Sequence, residues 1–394
     1  MKSMDGRMRF APDKSVAGYA TAQRDGFNWR VEPALAGYAR LEHRNKTNGN
    51  IIPVPVCATP AVLPGVGVMV AGYDGTVRLF DQLFEKAYWV RQLTAPIYAP
   101  LLCLPGGDQV VTADISGTVT CFSLRGDVIW TCTLDKPVYP AMEILRESGR
   151  IFVCCFDGEM TVLDSESGGI VAQASLPRPW FAERAPKAGH RDPYASPIQV
   201  GPDRVLVSAA DTVTAFDGEG EVLWRYVGTA QFRASPTACL THSTIMTMSI
   251  DGVCSLLEAN NGKLISTVEL GDKIVASAAS SNAIAAIGTA SGSVYGIDML
   301  TGLQTWRQSH GSPFDHTGFS LLPDGCFICT NARGNVVARD FTEGRFLWES
   351  SQLIGLTDHQ PRIDITPICS PNGLMYAGSY DGALYAFVFQ ERTQ

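Results

Sequence analysis

Two histidines stand close to a carboxylate in the sequence, and such pairs can transfer protons. His316 directly follows Asp315, and His190 precedes Asp192 by two residues. Imidazole titrates near neutral pH, and a neighbouring carboxylate orients the ring and raises its pKa. These four residues are therefore candidate catalytic groups for an acid–base step on a small substrate. The alternative is that they are unrelated histidines on a solvated surface.

The spacing of reactive residues does not indicate a metal site, a catalytic nucleophile or a phosphate-binding loop. No pair among the six histidines has the i, i+2 or i, i+4 spacing of a preformed metal site. The sequence also has no nucleophile elbow and no phosphate-binding loop. We therefore expect no metal and no organic cofactor, and whether the protein is an enzyme stays open.

The elements that position these residues are repeats, each built around a hinge between two strand patterns. The hinges are Asp74-Gly75, Ser116-Gly117, Asp157-Gly158, Asp211-Thr212, Asp251-Gly252, Ser291-Gly292, Arg333-Gly334 and Asp381-Gly382. They recur about every 41 residues, apart from two insertions, and each unit contains three alternating runs and then a Trp-centred run. Units three and five have Ala172 and Ser266 in place of that tryptophan. This pattern predicts an all-β, eight-bladed β-propeller.

The eighth unit lacks its final strand, and the N-terminal segment RDGFNWRVEP resembles the missing one. We expect an outer strand around Trp29 to pair beside residues 383–390 and close the ring, because an open edge invites aggregation. Deleting residues 1–35 should then destabilise the whole ring. The expected organisation is an N-terminal arm over residues 1–24, one propeller domain over 25–390 and a tail over 391–394.

Composition limits the partners and the cellular location. Hydrophobic residues make up 45% and charged residues 18% of the chain, with a net charge of −8. That balance disfavours nucleic acid and anionic membranes as partners. The basic start has no apolar signal region, and no run is long enough to span a bilayer. The eleven cysteines lie mostly in strand-like runs, so we expect reduced thiols in a cytoplasmic protein.

The repeats resemble a known family. The run VYGIDMLTGLQTW (294–306) is similar to the tryptophan-docking repeat of the quinoprotein (PQQ)-like propellers, as is the Ser/Thr-Pro in CATP, YASP, RASP and DITP. In repeat style the chain looks most like the cytosolic propeller of the β-alanine-activating enzyme. The family's dehydrogenases have a vicinal disulfide over the quinone, and the adjacent pair here is Cys154-Cys155. Neighbours in a strand point to opposite faces, so we expect two structural thiols and no quinone.

The resemblance implies that the Trp strand is outermost and that the next connection crosses one face of the disk. Three of these connections are long, from Trp29 to Pro60, from Ala172 to Pro197 and from Trp348 to Pro367. Five of the six histidines lie in the connections between blades, the short ones included. Loops that lengthen on one face of a rigid scaffold usually carry the binding site.

Residues just ahead of each inner strand should rim the central funnel, with charged groups on one side and aromatic groups on the other. The candidate ligand-binding residues in these connections are Tyr98, Tyr139, Tyr194, Gln231, Arg233, Lys273, His359, Arg362 and Asp364. An apolar wall with a few convergent polar groups is typical of small-molecule sites. The alternative is a rim of mutually neutralising ion pairs, such as Arg233 with Asp192.

The connection at 177–197 contains five prolines together with Trp180. Its prolines disfavour a regular element, and an exposed tryptophan needs a reason. We expect it to fold over the funnel as a lid, with Trp180 shielding the pocket and His190 facing inward. In the competing interpretation, Trp180 packs on a neighbouring blade and the charged residues face water.

Two functions fit these patterns. In the first, a cytoplasmic propeller binds a small polar or carrier-tethered metabolite, with or without cofactor-independent isomerisation, cyclisation or hydrolysis in specialised metabolism. In the second, a non-catalytic scaffold uses its inserted loops to bind a protein partner. A PQQ-dependent dehydrogenase is the least favoured interpretation.

Overall fold

The computed structural model describes residues 26–44, 49–156, 158–178, 195–239, 241–281, 283–314, 318–350, 363 and 365–392. Strands dominate these residues, with one 3-10 turn at Pro323–Gly325. In chain order the first strands are β1 (Ala34–Arg40), β2 (Glu42–Arg44), β3 (Ile51–Pro53), β4 (Ala61–Leu63), β5 (Gly67–Ala71), β6 (Thr76–Phe80), β7 (Ala87–Gln92), β8 (Leu102–Cys103), β9 (Gln109–Ala113), β10 (Thr118–Ser123), β11 (Val128–Thr133), β12 (Glu143–Leu145), β13 (Arg150–Cys155), β14 (Glu159–Asp164) and β15 (Ile170–Ser175). They are followed by β16 (Ile198–Gln199), β17 (Arg204–Ala209), β18 (Thr212–Asp217), β19 (Val222–Val227), β20 (Thr237–Cys239), β21 (Thr244–Met248), β22 (Val253–Glu258), β23 (Leu264–Glu269), β24 (Ala279–Ser280), β25 (Ile284–Gly288), β26 (Ser293–Asp298), β27 (Gln304–Ser309), β28 (Ser320–Leu322), β29 (Cys326–Thr330), β30 (Val336–Asp340), β31 (Phe346–Glu349), β32 (Ile368–Cys369), β33 (Leu374–Gly378) and β34 (Ala383–Val388).

Eight antiparallel sheets of four strands each form the blades, which confirms the predicted eight-bladed propeller. Blades 1 to 7 take consecutive groups of four strands from β4 to β31, and blade 8 has the order β32-β33-β34-β1. A separate two-stranded hairpin, β2–β3, lies between blades 8 and 1 in the chain. The first strand of each blade contacts that of the next at several junctions, for example β4 with β8 and β20 with β24, so these strands surround the centre. Within the described residues, no helix is long and apolar enough to cross a membrane.

The hinges explain why the repeat is so regular. In blade 2 the Asp114 carboxylate accepts hydrogen bonds from the main-chain N–H groups of Ser116 and Thr118, at 2.9 and 3.0 Å. Gly117 between them has a φ of +88°, a conformation that favours glycine. Each blade has one such turn between its second and third strands. The hinge pattern therefore recurs once per blade, about every 41 residues.

A tryptophan on the outer strand ties each of several blades to the following one. Trp130 of blade 2 donates its indole N–H to the carbonyl of Ser165 in blade 3, at 3.0 Å. Its ring lies over Gly168, where an added Cβ would come within 2.4 Å of the indole. In blade 5 Ser266 replaces the tryptophan, as the sequence shows, and its hydroxyl donates to Thr301 of blade 6 at 3.0 Å.

The Ser/Thr-Pro motif has a structural role at the centre of the ring. The hydroxyl of Ser196 accepts the main-chain N–H of Ala141, and Ser235 accepts that of Ser196. Ser277 continues the series by accepting the N–H of Ser235 at 2.6 Å. Side-chain hydroxyls thus satisfy the N–H groups at the starts of inner strands, which would otherwise be buried without a partner.

Ring closure differs in one respect from the sequence prediction. The N-terminal strand that completes blade 8 is β1, and it pairs antiparallel with β34, opposite Ala383–Val388. Trp29 precedes this strand, contrary to the expectation, and is buried at 1% exposure among residues of blades 7 and 8. Gly37 lies opposite Ala386, the pairing that Trp130 has with Cys121 in blade 2.

The physical reason is the close approach of blade 1. A Cβ on Gly37 would come within 2.3 Å of the carbonyl oxygen of Leu83, so no tryptophan fits at that position. Pro33, which has no N–H to donate, separates Trp29 from β1.

All eleven cysteines are free thiols, and nine of them are buried. Cys155 lies in the core between blades 2 and 3, whereas Cys154 lies in the core between blades 3 and 4. The two side chains therefore point to opposite faces of β13, as strand geometry predicts.

Candidate functional site

One face of the disk carries both the turns between second and third strands and the connections that lead to the next blade. In blade 2 the N–H of Ile115, in such a turn, donates to the carbonyl of Pro96 at 3.0 Å. The same bond joins Phe156 to Pro137, Ile250 to Gln231 and Ala290 to Lys273, at 2.8 to 2.9 Å. The turns and the starts of the inner strands therefore meet at equivalent places around the centre. We call this side the funnel face.

Isolated main-chain bridges define which residues are equivalent on the funnel face. Ile97 bridges Asp114, Val138 bridges Cys155 and Phe232 bridges Ser249. The next residues along the chain, Tyr98, Tyr139 and Arg233, therefore occupy the same position in blades 2, 3 and 5. Counting back from the proline misses this equivalence, because the proline follows the bridging residue by three positions in blade 2, by two in blade 3 and by four in blade 5.

Five aromatic side chains form a continuous wall on one side of the funnel face. This aromatic wall consists of Tyr73, Tyr98, Tyr139, Phe156 and Tyr380, from blades 1, 2, 3, 3 and 8. The ring centres of Tyr73 and Tyr98 are 6.4 Å apart and nearly perpendicular, and those of Tyr98 and Tyr139 are 5.5 Å apart. Tyr139 stacks on Phe156 at 4.3 Å.

The tyrosine hydroxyl groups add hydrogen-bonding groups to the aromatic wall. The hydroxyls of Tyr98 and Tyr380 are 3.0 Å apart, and either can be the donor. Burial raises the pKa of Tyr73, and the nearby Cys57 and Tyr139 raise it further. Its hydroxyl therefore stays protonated at neutral pH and can donate a hydrogen bond. Tyr98 is buried, whereas Tyr73, Tyr139 and Tyr380 are partly accessible.

The opposite side of the funnel face is polar and has smaller turn residues. Gln231 is buried, Arg233 is half-buried and Lys273 is exposed. Ala290 and Ala332 occupy the turn position that Tyr73, Phe156 and Tyr380 hold on the aromatic side. The turn side chains of blades 6 and 7 are therefore smaller than those of blades 1, 3 and 8.

Some of the predicted site residues can be located and others cannot. The structure places Tyr98 and Tyr139 together in the aromatic wall, and Gln231, Arg233 and Lys273 on the polar side. Nine predicted residues lie outside the described part of the chain: Asp315, His316, His190, Asp192, Trp180, Tyr194, His359, Arg362 and Asp364. The acid–base pairs, the lid and the ion-pair rim therefore remain predictions.

Sequence reasoning missed Tyr73, Phe156 and Tyr380. Each stands one residue before the Asp-Gly hinge, in YDG or FDG, whereas the corresponding residue in blades 6 and 7 is alanine. That difference at a fixed place in the repeat is the signal that could have identified the aromatic wall.

The first long connection forms the exposed hairpin β2–β3. His43 lies opposite Ile52 in this hairpin and is exposed, so it is a surface histidine. Ile51 at the start of β3 is 61% exposed, the third-highest value among the exposed large hydrophobic side chains of the described residues.

His310 is the one described histidine that is embedded in a polar cluster. Its Nε2 accepts from the Asn331 amide at 2.9 Å, and its Nδ1 lies 3.2 Å from Nη2 of Arg339. Glu349 accepts from the amides of Asn331 and Asn335, at 3.3 and 2.7 Å. Burial lowers the pKa of His310, and Arg339 lowers it further. These residues join the outer strand of blade 6 to blade 7.

Among the residues that the structure describes, no three His, Cys, Asp or Glu side chains are grouped so that they could hold a metal ion. Eight four-stranded blades, five of which carry a docking tryptophan on the outer strand, are typical of the PQQ-like propeller class. The match to known families is more specific: the family described as "Outer membrane protein assembly factor BamB" matches residues 73–236 and 209–394. The chain belongs to this family.

Solved structures share the fold at low sequence identity. BamB from Moraxella catarrhalis superposes with a TM-score of 0.70 at 16% identity, covering 91% of this chain and 100% of that chain. Saccharomyces cerevisiae Sqt1 gives 0.71 at 13%, covering 92% and 100%. The computationally designed Ika8 protein gives 0.69 at 16%, covering 91% and 100%. No curated protein matches the sequence. At these identities the likenesses show the fold alone, and the nearer resemblance to the β-alanine-activating enzyme stays a prediction.

Proposed function

We propose that the protein binds a small ligand on its funnel face, against the aromatic wall. The observation that carries this function is the unbroken series of ring contacts from Tyr73 to Phe156, joined to blade 8 by the Tyr98–Tyr380 hydroxyl pair. Rings that converge from several blades offer both apolar faces and hydroxyl donors, as ligand sites usually do.

The distribution of polarity indicates what kind of ligand fits. A planar or apolar part would pack on Tyr139, whose ring is partly accessible, and polar groups would reach the side that carries Arg233 and Lys273. Both ends of such a ligand are recognised, so the funnel face would hold it in one orientation. A catalytic role depends on His316, Asp315, His190 and Asp192, and it remains a prediction, as do the carrier-bound form of the ligand and the cytoplasmic location.

The test is to substitute a wall residue and measure ligand retention. Purified protein is incubated with the small-molecule fraction of a cell extract, desalted and denatured, and the released compounds are identified by mass spectrometry. Tyr139→Leu should weaken retention by roughly tenfold, about 1.4 kcal/mol, because it removes the ring that stacks on Phe156. Tyr38→Leu is the matched control, since Tyr38 is 52% exposed on the outer strand of blade 8. Equal retention by the parent and Tyr139→Leu would refute the proposal.

A protein-binding scaffold is the second candidate, and the hairpin β2–β3 favours it. The hairpin presents Ile51 to solvent at 61% exposure, beside the basic residue Arg44. The family is described as an assembly factor, which fits a protein partner. Ile51→Asp should abolish binding of such a partner while leaving small-molecule retention unchanged, so the two functions can be separated.

A further inference from the structure

A pocket lies where the segment before β1 meets the segment after β34, on the side of the disk opposite the funnel face. It is lined by Asn28, Arg30, Asp324 and Arg392 and has a volume of about 240 Å³. Asp324 belongs to the turn between the first two strands of blade 7, and the other three residues belong to the segments that flank β1 and β34. Side chains distant in sequence thus converge on one space, which we call the seam pocket.

Both guanidinium groups of the seam pocket are fixed along one edge. Nε of Arg392 donates to the carbonyl of Phe27 at 2.8 Å, and its Nη2 forms an ion pair with Asp324. Nη1 of Arg30 donates to the carbonyl of Asp324 at 3.4 Å and lies 3.6 Å from the sulfur of Cys326. Fixing the planar groups in advance lowers the entropy that a ligand must remove when it binds.

Other donors of the same side chains remain available to a ligand. Within the described residues, Nη1 of Arg392, Nε of Arg30 and Nδ2 of Asn28 donate no hydrogen bond. The Asn28 oxygen is already used, because it accepts the N–H of Arg30 at 3.3 Å, so its amide hydrogens face the other way. Three donors and two positive charges therefore line the pocket, together with the Asp324 carboxylate that is already paired with Arg392.

The charges are layered in a way that favours an anion. The side chains of Asp324 and Asp340 are only 9% and 5% exposed, and they form ion pairs with Arg392 and Arg30. The side chains of Arg30 and Arg392 are 45% and 29% exposed. An incoming molecule meets the positive groups first, although the chain as a whole has a net charge of −8.

We propose that the seam pocket binds a small organic anion, with a carboxylate or phosphate group held by Arg30, Arg392 and Asn28. Guanidinium groups recognise both oxyanions through paired N–H donors. The volume is slightly below the roughly 300 Å³ at which ligand pockets usually begin, so the occupant is small. The occupant contacts the segments that flank β1 and β34 as well as blade 7. Its binding therefore stabilises the closed propeller by mass action.

The test is thermal unfolding of the full-length protein with inorganic phosphate, glycerol 3-phosphate and L-malate as probes, at constant ionic strength. At least one probe should raise the midpoint temperature of unfolding until the effect saturates. Comparing the two phosphate probes with L-malate shows which oxyanion is preferred. Asn28→Asp should weaken binding about tenfold or more, because it adds a carboxylate among the donors and still accepts the N–H of Arg30. Arg30→Gln should have a similar effect by removing one positive group.

Arg345→Gln is the matched control. Arg345 pairs with Glu343 in the turn between the last two strands of blade 7, and its side chain is 67% exposed. This variant should bind the probe as the parent does. The midpoint of each variant without probe separates loss of binding from loss of fold. The proposal is overturned if no probe shifts the midpoint, or if Asn28→Asp and Arg30→Gln respond like the parent.

Discussion

Trp348 donates its indole N–H to the main-chain carbonyl of Trp29, at 3.3 Å and across 319 positions of the chain. Elsewhere in the ring the docking tryptophan bonds a carbonyl only 35 positions later, as Trp130 does with Ser165. The bond between Trp348 and Trp29 is therefore the docking contact at which the N-terminal segment enters the ring. The ring centres of Trp29 and Phe389, which follows β34, are 4.4 Å apart.

The first prediction is that Trp29 stabilises ring closure. Trp29→Ala removes a side chain with 1% exposure from the core between blades 7 and 8, so it should cost about 3–5 kcal/mol of unfolding free energy. Chemical denaturation measures this cost. Trp29→Phe keeps an aromatic ring and should lose clearly less. A Trp29→Ala variant as stable as the parent would contradict the closure role.

The second prediction concerns the whole closing strand. A variant that lacks residues 1–40 loses β1 and leaves the β34 edge unpaired, so it should aggregate or unfold at a lower temperature. A variant that lacks only residues 1–25 keeps every described contact of β1 and should behave like the parent. Equal melting temperatures and equal solubility of the two variants would mean that β1 does not close the ring.

The third prediction separates strain from crowding at the docking sites. Gly168 and Gly201 have φ values of +70° and +83°, so alanine costs about 1–2 kcal/mol of backbone strain at either position. At Gly168 the new Cβ would also come within 2.4 Å of the Trp130 ring, whereas no atom lies within 4 Å at Gly201. Gly168→Ala should therefore be less stable than Gly201→Ala by about 1–3 kcal/mol. Similar denaturation midpoints would show that the indole is free to move aside.

The blade count could be predicted from sequence because its signal is local. A turn such as the one at Gly117 requires a particular backbone conformation, so each turn leaves a residue pattern at a fixed place in the repeat. The position of the closing strand was predicted less accurately, because Gly37 and not a tryptophan occupies the docking position in blade 8. What excludes the tryptophan there is Leu83 of another blade, which is a tertiary contact that no local pattern shows.

The candidate site was predictable only in part for the same reason. Tyr98 and Tyr139 were found as residues ahead of inner strands, and the structure brings their rings to 5.5 Å. Tyr380 was missed because it belongs to a hinge turn at the opposite end of the sequence, and only ring closure brings its hydroxyl to Tyr98. The contacts of His310 with Arg339 likewise depend on how blades 6 and 7 pack.

The last prediction is a loss of stability at mildly acidic pH that depends on His310. Asn331 must donate to Nε2, because its own oxygen accepts the N–H groups of Arg333 and Asn335. Arg339 faces Nδ1 with a second donor, so a ring that carries protons on both nitrogens would oppose a donor on each side. The lowered pKa of His310 follows from burial first and from the Arg339 charge second; Glu349 opposes it, and Arg333 adds to it.

The sign of the effect follows from proton linkage. The pKa of His310 lies below 6.5 in the folded protein, so the unfolded chain binds the proton more readily. The contribution of His310 to stability is full above about pH 6.5 and is lost as the pH falls through the folded pKa. Melting temperatures measured between pH 7.5 and pH 5 should therefore fall less steeply for His310→Asn than for the parent. His43→Asn, in the exposed hairpin, is the control and should follow the parent curve. If the parent and His310→Asn gave parallel curves, protonation of His310 would not be coupled to folding.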